Sequence, residues 1–432
     1  MIQLLKNLNN KIKFSAWSII HQLPSPIVYA WQSHQLKKLL GIAYDGVPFY
    51  TRILKESKIN PDSIKTRNDI DILPIMDKRT LKQQDRNLLL NWNYQGKYIW
   101  RQTSGTTGEP FRFPITLVSA VYGDKRYYDF TKYRFLFWEG FNKNMDALKV
   151  AHIGFRPMPL KKNYLFIPVS DVRKNARSVI SKLGTFQPFI LESVPTILAE
   201  VGRTMAEAGV GVQPIKIPYI ISYGENLSYG QRYFIENILS NKGGVYDLYG
   251  LEEFGPVGME CAEHKGFHIN EESFIVEIIN NAGGAVANGE SGHVVLTHFY
   301  NRIMPFIRYK TGDIGVILKK RCRCGVRSKR LFINGRDGIA LNIGQNHITL
   351  LEISGVINNF DRFIVQYQLA RITSGRLELR IIANGKVPPN KLESLKRQLK
   401  DDCNIITDIK IVSYLPNLTN HGKTVPYVDE SL

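Results

Sequence analysis

Apolar positions in the first part of the chain fall at helical spacing. From His34 to Ala43, Leu36, Leu39, Leu40 and Ala43 recur three and four apart and predict an amphipathic helix. Pro24, Pro26, Pro48, Pro61 and Pro74 interrupt this texture, so residues 1–93 read as mainly helical segments joined by turns. A loop rich in Gly and Thr follows at Thr103 to Pro110. Beyond it short apolar runs alternate with helical patterns. Lys149 to Gly154 reads as a strand and Ile215 to Ser222 as a buried strand. Ser193 to Ala208 and Ser228 to Leu239 read as helices, the first with Ser193 as N-cap and Gly209 past its end. That alternation predicts an α/β core. From Phe274 the pattern turns to strands, at Phe274 to Ile279, His293 to Phe299 and Phe306 to Tyr309. After Gly335 a smaller α+β unit is expected. Its order is strand (Ile339 to Ile343), helix (Thr349 to Asn359), strands (Phe363 to Arg371, Arg376 to Ala383), helix (Pro389 to Asp401) and strand (Ile405 to Tyr414). The expected division is therefore 1–335 and 336–432.

Composition changes the picture little. The 432 residues, 44% of them hydrophobic, suffice for more than one core. No window approaches the roughly 18 consecutive apolar residues of a membrane span. Met1 to Ile20 mixes lysines with apolar residues and lacks the apolar region of a signal peptide, so a cytoplasmic protein is expected. An amphipathic helix at a membrane surface is the alternative there. Charge is more telling. Lys and Arg number 57 against 38 Asp and Glu, a net +19, which attracts polyanions: nucleotide phosphates, coenzyme A, an acidic carrier protein or nucleic acid. The basic residues are scattered, and a solvated basic surface explains them equally well. No zinc-finger or RNA-recognition pattern points to a specific nucleic acid.

The strongest local pattern is Thr103-Ser104-Gly105-Thr106-Thr107-Gly108-Glu109-Pro110. Glycines admit an anion close to the backbone, and N–H groups and hydroxyls then bind phosphate oxygens. It is not a Walker loop, because no Lys-Ser/Thr pair closes it. Alone it reads equally as a polar surface loop. The string, however, closely resembles the phosphate loop of the adenylate-forming superfamily. Tyr249-Gly250-Leu251-Glu252-Glu253, Tyr309-Lys310-Thr311-Gly312-Asp313, Asn334-Gly335-Arg336-Asp337 and His421-Gly422-Lys423 resemble its later motifs in the same order. Within it the chain is most similar to phenylacetate–CoA ligases and related capsule-biosynthesis proteins. Val47-Pro48-Phe49-Tyr50, Leu73-Pro74, Glu192 to Pro195, and Cys261 with Cys322-x-Cys324-Gly325 carry that likeness, over about residues 43 to 427.

The resemblance implies a large α/β N-terminal domain and a small mobile C-terminal α+β domain. It implies ATP-dependent activation of a carboxylic acid to acyl-AMP, then transfer to a thiol of coenzyme A or of a carrier protein, or to an amine. Thr103, Ser104, Gly105, Thr106, Thr107 and Gly108 would grip phosphates. Glu253 would ligate Mg2+, which prefers hard oxygen donors. Tyr249 would stack on adenine beside Gly224, Glu225 and Gly250. Asp313 and Arg336 would serve the ribose. Lys423 would reach the carboxylate and the charge developing at the α-phosphate. Arg336-Asp337-Gly338 would be the hinge of a domain that swings between half-reactions. Alone, Glu253 or Asp313 reads as a surface carboxylate and Lys423 as a solvated tail lysine; the ordered set raises all three.

Some positions depart from the family pattern. Glu109-Pro110-Phe111 lacks the lysine that many relatives carry just after the proline. The stretch 336–344 is one residue short, and Ile348-Thr349 stands where Pro-Ser is usual, which leaves the thioester step less secure than adenylation. The acyl pocket, by analogy, takes Tyr223, Phe254, Gly255 and Pro195, with His152 and Phe155 on its wall. These suggest a flat, aromatic acid, although each also reads as ordinary packing. Cys322-x-Cys324, with Cys261 61 residues upstream and His264 and His268 near it, has the donor set of a structural Zn2+ site. Three reduced cysteines are the plain alternative. The resemblance favours His268 over His264. A binding protein of decayed catalysis, holding a nucleotide or nucleic acid, is the competing class. A decayed site has little reason to keep Glu253, Asp313 and Lys423 together.

Overall fold

A computed structural model describes residues 23–431, except 104–109, 117–147, 156, 158–162, 208–214, 241–243, 338–339, 344–345, 374–375 and 417–422. The chain forms two compact units. One is built from 1–105, 109–143 and 248–335, the other from 106–108, 144–247 and 336–432.

In the first unit the helices Ser25–Gly46 and Pro48–Glu56 bury Leu36, Leu39, Leu40, Ala43, Phe49 and Leu54 in a core shared with Phe274, Phe306 and Tyr309. Pro48 opens the second helix, where a missing N–H costs nothing. Strands Phe274–Ile279, Ser291–His298 and Phe306–Ile317 run antiparallel. Next to them Arg330–Arg336 pairs with Phe267–Ile269, which pairs with Gly255–Met259, and that strand with the Leu248 to Leu251 end of Val245–Leu251. Buried Arg308 ties the segment before Met76 to this sheet. Its guanidinium donates to the carbonyls of Asp71 and Leu73, each at 2.7 Å, and pairs with Glu277 at 2.9 Å.

In the second unit four parallel strands lie in the order Tyr164–Pro168, Val150–Gly154, Ile190–Ser193, Tyr219–Tyr223. Helices Val169–Phe186, Pro195–Glu207 and Tyr229–Leu239 cover one face through Ile153, Leu191, Ile197, Ile220 and Ile235. Ser228 caps the last helix in a reciprocal box with Gln231. Ser193 does not cap the helix that follows it. It ends a strand, and its hydroxyl donates to the Ile153 carbonyl at 2.8 Å, because Pro195 already opens the helix.

The C-terminal part of this unit has a four-stranded sheet in the order Thr407–Ile411, Arg376–Ala383, Ile364–Thr373, Tyr427–Asp429, with helices Leu350–Asn358 and Pro389–Cys403. Thr349 and Glu352 form its capping box. Val365, Ile382 and Leu415 join the core around the three helices. Gly230 makes the approach possible: a Cβ there would stand 2.1 Å from the Asp361 carbonyl oxygen and 2.2 Å from that of Ile364.

Candidate active site and metal centre

In the first unit, buried Asp313 accepts a hydrogen bond from the Tyr249 hydroxyl at 2.6 Å. Gly312, at φ 82°, supplies the left-handed turn before it, and the Asp313 N–H donates to the Thr311 hydroxyl at 3.0 Å. Glu253, also buried, accepts from the Tyr309 hydroxyl at 3.1 Å. Two carboxylates are thus each held by a tyrosine, Asp313 on the strand Phe306–Ile317 and Glu253 in the turn between Val245–Leu251 and Gly255–Met259. Phe254 is buried in the aromatic core, edge-on to Phe306 at 5.1 Å and Tyr309 at 5.5 Å. A side chain at Gly255 would meet open space, whereas one at Gly250 would meet the Gly255 carbonyl oxygen at 2.8 Å.

Of the phosphate loop, Thr103 is described and Ser104, Gly105, Thr106, Thr107 and Gly108 lie outside the described residues. The Thr103 hydroxyl accepts from the Phe111 N–H at 2.9 Å and from the Lys78 ammonium at 3.0 Å, while the Thr103 N–H donates to the Phe111 carbonyl at 3.0 Å. Lys78 is a residue that sequence reasoning missed. It lies in the short helix Lys78–Lys82, capped by Asp77, and nothing local marks it.

In the second unit the Tyr219–Tyr223 strand ends in Gly224, at φ 79°. A Cβ on Gly224 would lie 3.4 Å from both Cε and Nζ of Lys423, so the lysine runs alongside this turn. Glu225 fixes the arrangement. Its carboxylate accepts from the Thr196 N–H (2.9 Å) and hydroxyl (3.0 Å) and from the Thr424 N–H (2.6 Å). Burial pushes the Glu225 carboxyl up, against these hydrogen bonds and the nearby Lys423 charge. Glu225 therefore anchors the segment carrying Lys423 to the start of the helix Pro195–Glu207, where Pro195 is buried. Arg336 is exposed at the end of its strand, and Gly338, His421 and Gly422 lie outside the described residues.

Cys261, His268, Cys322 and Cys324 converge in the first unit, with one donor atom of each within 4.8 Å of all the others. Cys261 Sγ lies 3.5 Å from Cys322 Sγ, and Cys324 Sγ lies 3.3 Å from His268 Nε2. Tetrahedral zinc with about 2.3 Å bonds to sulfur has ligand edges of about 3.8 Å, so the spacing and the donor chemistry fit that ion. The other imidazole nitrogen, Nδ1 of His268, lies 3.2 Å from the Ser328 hydroxyl, the kind of outer contact that orients a ligating histidine. His264 is outside the group and contacts Glu260 at 3.3 Å.

No family model matches the chain. It is 24% identical over 371 residues to a phenylacetate-coenzyme A ligase of Thermus thermophilus, covering 83% of this chain and 81% of that protein. It is 22% identical over 389 residues to Protein CapK of Staphylococcus aureus, covering 86% and 82%. Among solved structures, a 2-hydroxyisobutyryl-CoA ligase in the postadenylation state with R3-HIB-AMP superposes with a TM-score of 0.75 at 17% identity, over 94% of this chain and 90% of that one. Its fold is that of the adenylate-forming ligases.

The adenylate-forming fold brings motif residues far apart in sequence into contact: Tyr249 with Asp313, Glu253 with Tyr309, Gly224 with Lys423. Tyr223 and Pro195 belong to the second unit, and Phe254 and Gly255 to the first. Among the described residues, no helix is long and apolar enough to cross a membrane.

Proposed function

We propose that this protein is an ATP-dependent carboxylate–CoA ligase. The observation that carries the reading is Lys423. A lysine from the last part of the chain is held against the Tyr223 to Glu225 turn by the Glu225–Thr424 and Glu225–Thr196 hydrogen bonds. A point charge so placed suits the first step. There a carboxylate oxygen attacks the α-phosphorus of ATP, the P–O bond to the β-phosphate breaks, and pyrophosphate leaves with its electron pair. The ammonium draws the two anions together and offsets charge developing at the α-phosphate. Asp313, oriented by Tyr249, accepts hydrogen bonds from ribose hydroxyls, with Arg336 assisting. Thr103 to Gly108 hold phosphates, with Lys78 adding charge at the start of that loop. Glu253, held by Tyr309, offers a hard oxygen to Mg2+, which when bound neutralises phosphate charge.

In the second step a thiolate attacks the acyl carbonyl, the acyl–phosphate bond breaks, AMP leaves, and a thioester forms. Coenzyme A is the acceptor we favour, because the similar curated ligases are named for it. Cys261, His268, Cys322 and Cys324 would hold a structural zinc that joins the strands around Glu253 to the loop before Arg330.

Pyrophosphate exchange into ATP, measured over a panel of carboxylic acids, tests the reading. Exchange that needs both an acid and Mg2+, and that falls by about three orders of magnitude in Lys423→Ala, is the expected result. No exchange with any acid, while ATP still binds, would sink it.

A further inference from the structure

His152, Glu192 and Tyr223 lie on three neighbouring parallel strands, with Tyr223 the last residue of its strand, and ligands of open α/β sheets collect beyond such carboxyl ends. Register pairs His152 with Glu192 and Glu192 with Ile221, so Tyr223, two positions on, shares their face. The opposite face carries Ala151, Ile153, Leu191 and Ile220 in the apolar core. His152 Nδ1 lies 3.5 Å from Glu192 Oε2, and the Tyr223 hydroxyl reaches across the middle strand to within 3.4 Å of His152 Nε2. The two rings lie nearly parallel, 12° apart with centroids at 5.9 Å, and Phe166 stacks on the other side of the imidazole at 6.0 Å. Gly154 makes room for this: a Cβ there would fall 2.1 Å from His152 Nε2.

Such an array is costly in a buried place. Glu192 is fully buried and His152 nearly so, and Glu192 Oε1 has no hydrogen-bond partner among the described residues. Strand pairing does not require it, since an apolar side chain fits the same register. A buried polar atom left without a partner calls for an explanation, and organising a ligand contact supplies one.

We infer that the Glu192–His152–Tyr223 array selects an acid bearing a hydrogen-bond donor, a hydroxyl or amino substituent, over its unsubstituted counterpart. This rests on the adenylation reading proposed above. Glu192 accepts from His152 Nδ1–H, which fixes the tautomer and leaves Nε2 as an acceptor. The Tyr223 hydroxyl donates to Nε2 and presents its own oxygen as acceptor. Gly224, the next residue, borders Lys423, so a carboxylate at the ammonium places the body of the acid beside Tyr223. Tyr223 touches the substrate; His152 and Glu192 are positioning residues.

The test compares exchange rates for phenylacetate and benzoate with those of their ring-hydroxy and ring-amino forms, in wild type, Tyr223→Phe and Glu192→Gln. Tyr223→Phe keeps the ring and its stack on His152, so folding is not at issue. The wild type is expected to favour at least one substituted acid by about tenfold or more in kcat/KM. Tyr223→Phe should erase that ratio through the KM of the substituted acid. Glu192→Gln should reduce the ratio and alter its pH profile, which a purely structural role would not do. Equal use of all acids, or an unchanged ratio in Tyr223→Phe, overturns this inference alone. Exchange with no acid overturns the adenylation reading as well.

Discussion

On the reading proposed above, Lys78 is a single side chain placed to supply what the loop motif lacks. The loop that begins at Thr103 has no lysine after its proline, yet an ammonium reaches the Thr103 hydroxyl from a helix some 25 residues upstream. That hydroxyl is already the acceptor for the Phe111 N–H, so it fixes the mouth of the loop while Lys78 adds charge to it. Charge-assisted contacts of this kind contribute about 1.5–3 kcal/mol when made to an anion. Lys78→Ala is therefore expected to raise the KM for ATP about tenfold or more and to leave the KM for the acid nearly unchanged, read from steady-state exchange kinetics. An unaltered ATP KM would reduce Lys78 to a partner of Thr103.

The strands around the Cys/His group are short and poor in strand-forming residues: Gly255–Met259 contains Gly255, Pro256 and Gly258, and Phe267–Ile269 has three residues. Intrinsic preference does not hold them, so a metal clip is worth more here than in a long sheet. Elemental analysis is expected to find one zinc per chain, and its removal by a chelator to lower Tm by about 4 °C or more. Cys324→Ser should do the same with no further effect of chelator, and a metal-free protein of unchanged Tm would contradict both. The same strands mark the limit of what the sequence made legible. Helices announced themselves through apolar spacing, as at Leu36, Leu39, Leu40 and Ala43, and long apolar strands such as Phe274–Ile279 through their composition. Gly255–Met259 and Phe267–Ile269 exist only because neighbouring strands pair with them, and Ser193 looked like a cap because its neighbour on the adjacent strand was invisible. Candidate site residues stood out as ordered strings, Tyr249 and Asp313 among them, but their contact is a product of the fold. Lys78 belongs to no string, and only proximity reveals it.

For the molecule as a whole, the proposed chemistry has two steps, and the resemblance implies a C-terminal segment that moves between them. On the reading proposed above, the arrangement seen here, with Lys423 beside Gly224, is the one that would serve the first step. Within the second unit that segment rests on the start of the helix Tyr229–Leu239. The Asp361 and Ile364 carbonyl oxygens lie where a Gly230 side chain would be, and Val365, Ile382 and Leu415 enter the adjoining core. On that reading Gly230 is the point at which a small change should separate the two steps. A methyl group there meets backbone atoms near 2.1 Å, which no rotamer relieves, so the segment must shift. The helix itself gains from alanine, by about 1 kcal/mol of propensity, so Gly230→Ala should fold. Acid-dependent pyrophosphate exchange in this variant is expected to fall about tenfold or more, because Lys423 loses its place at Gly224. Thioester formation from supplied acyl-AMP and coenzyme A should be spared, because that step does not use this docking. Loss of both activities in equal measure would mean that the contact at Gly230 is needed throughout, and that the segment does not exchange partners between the steps.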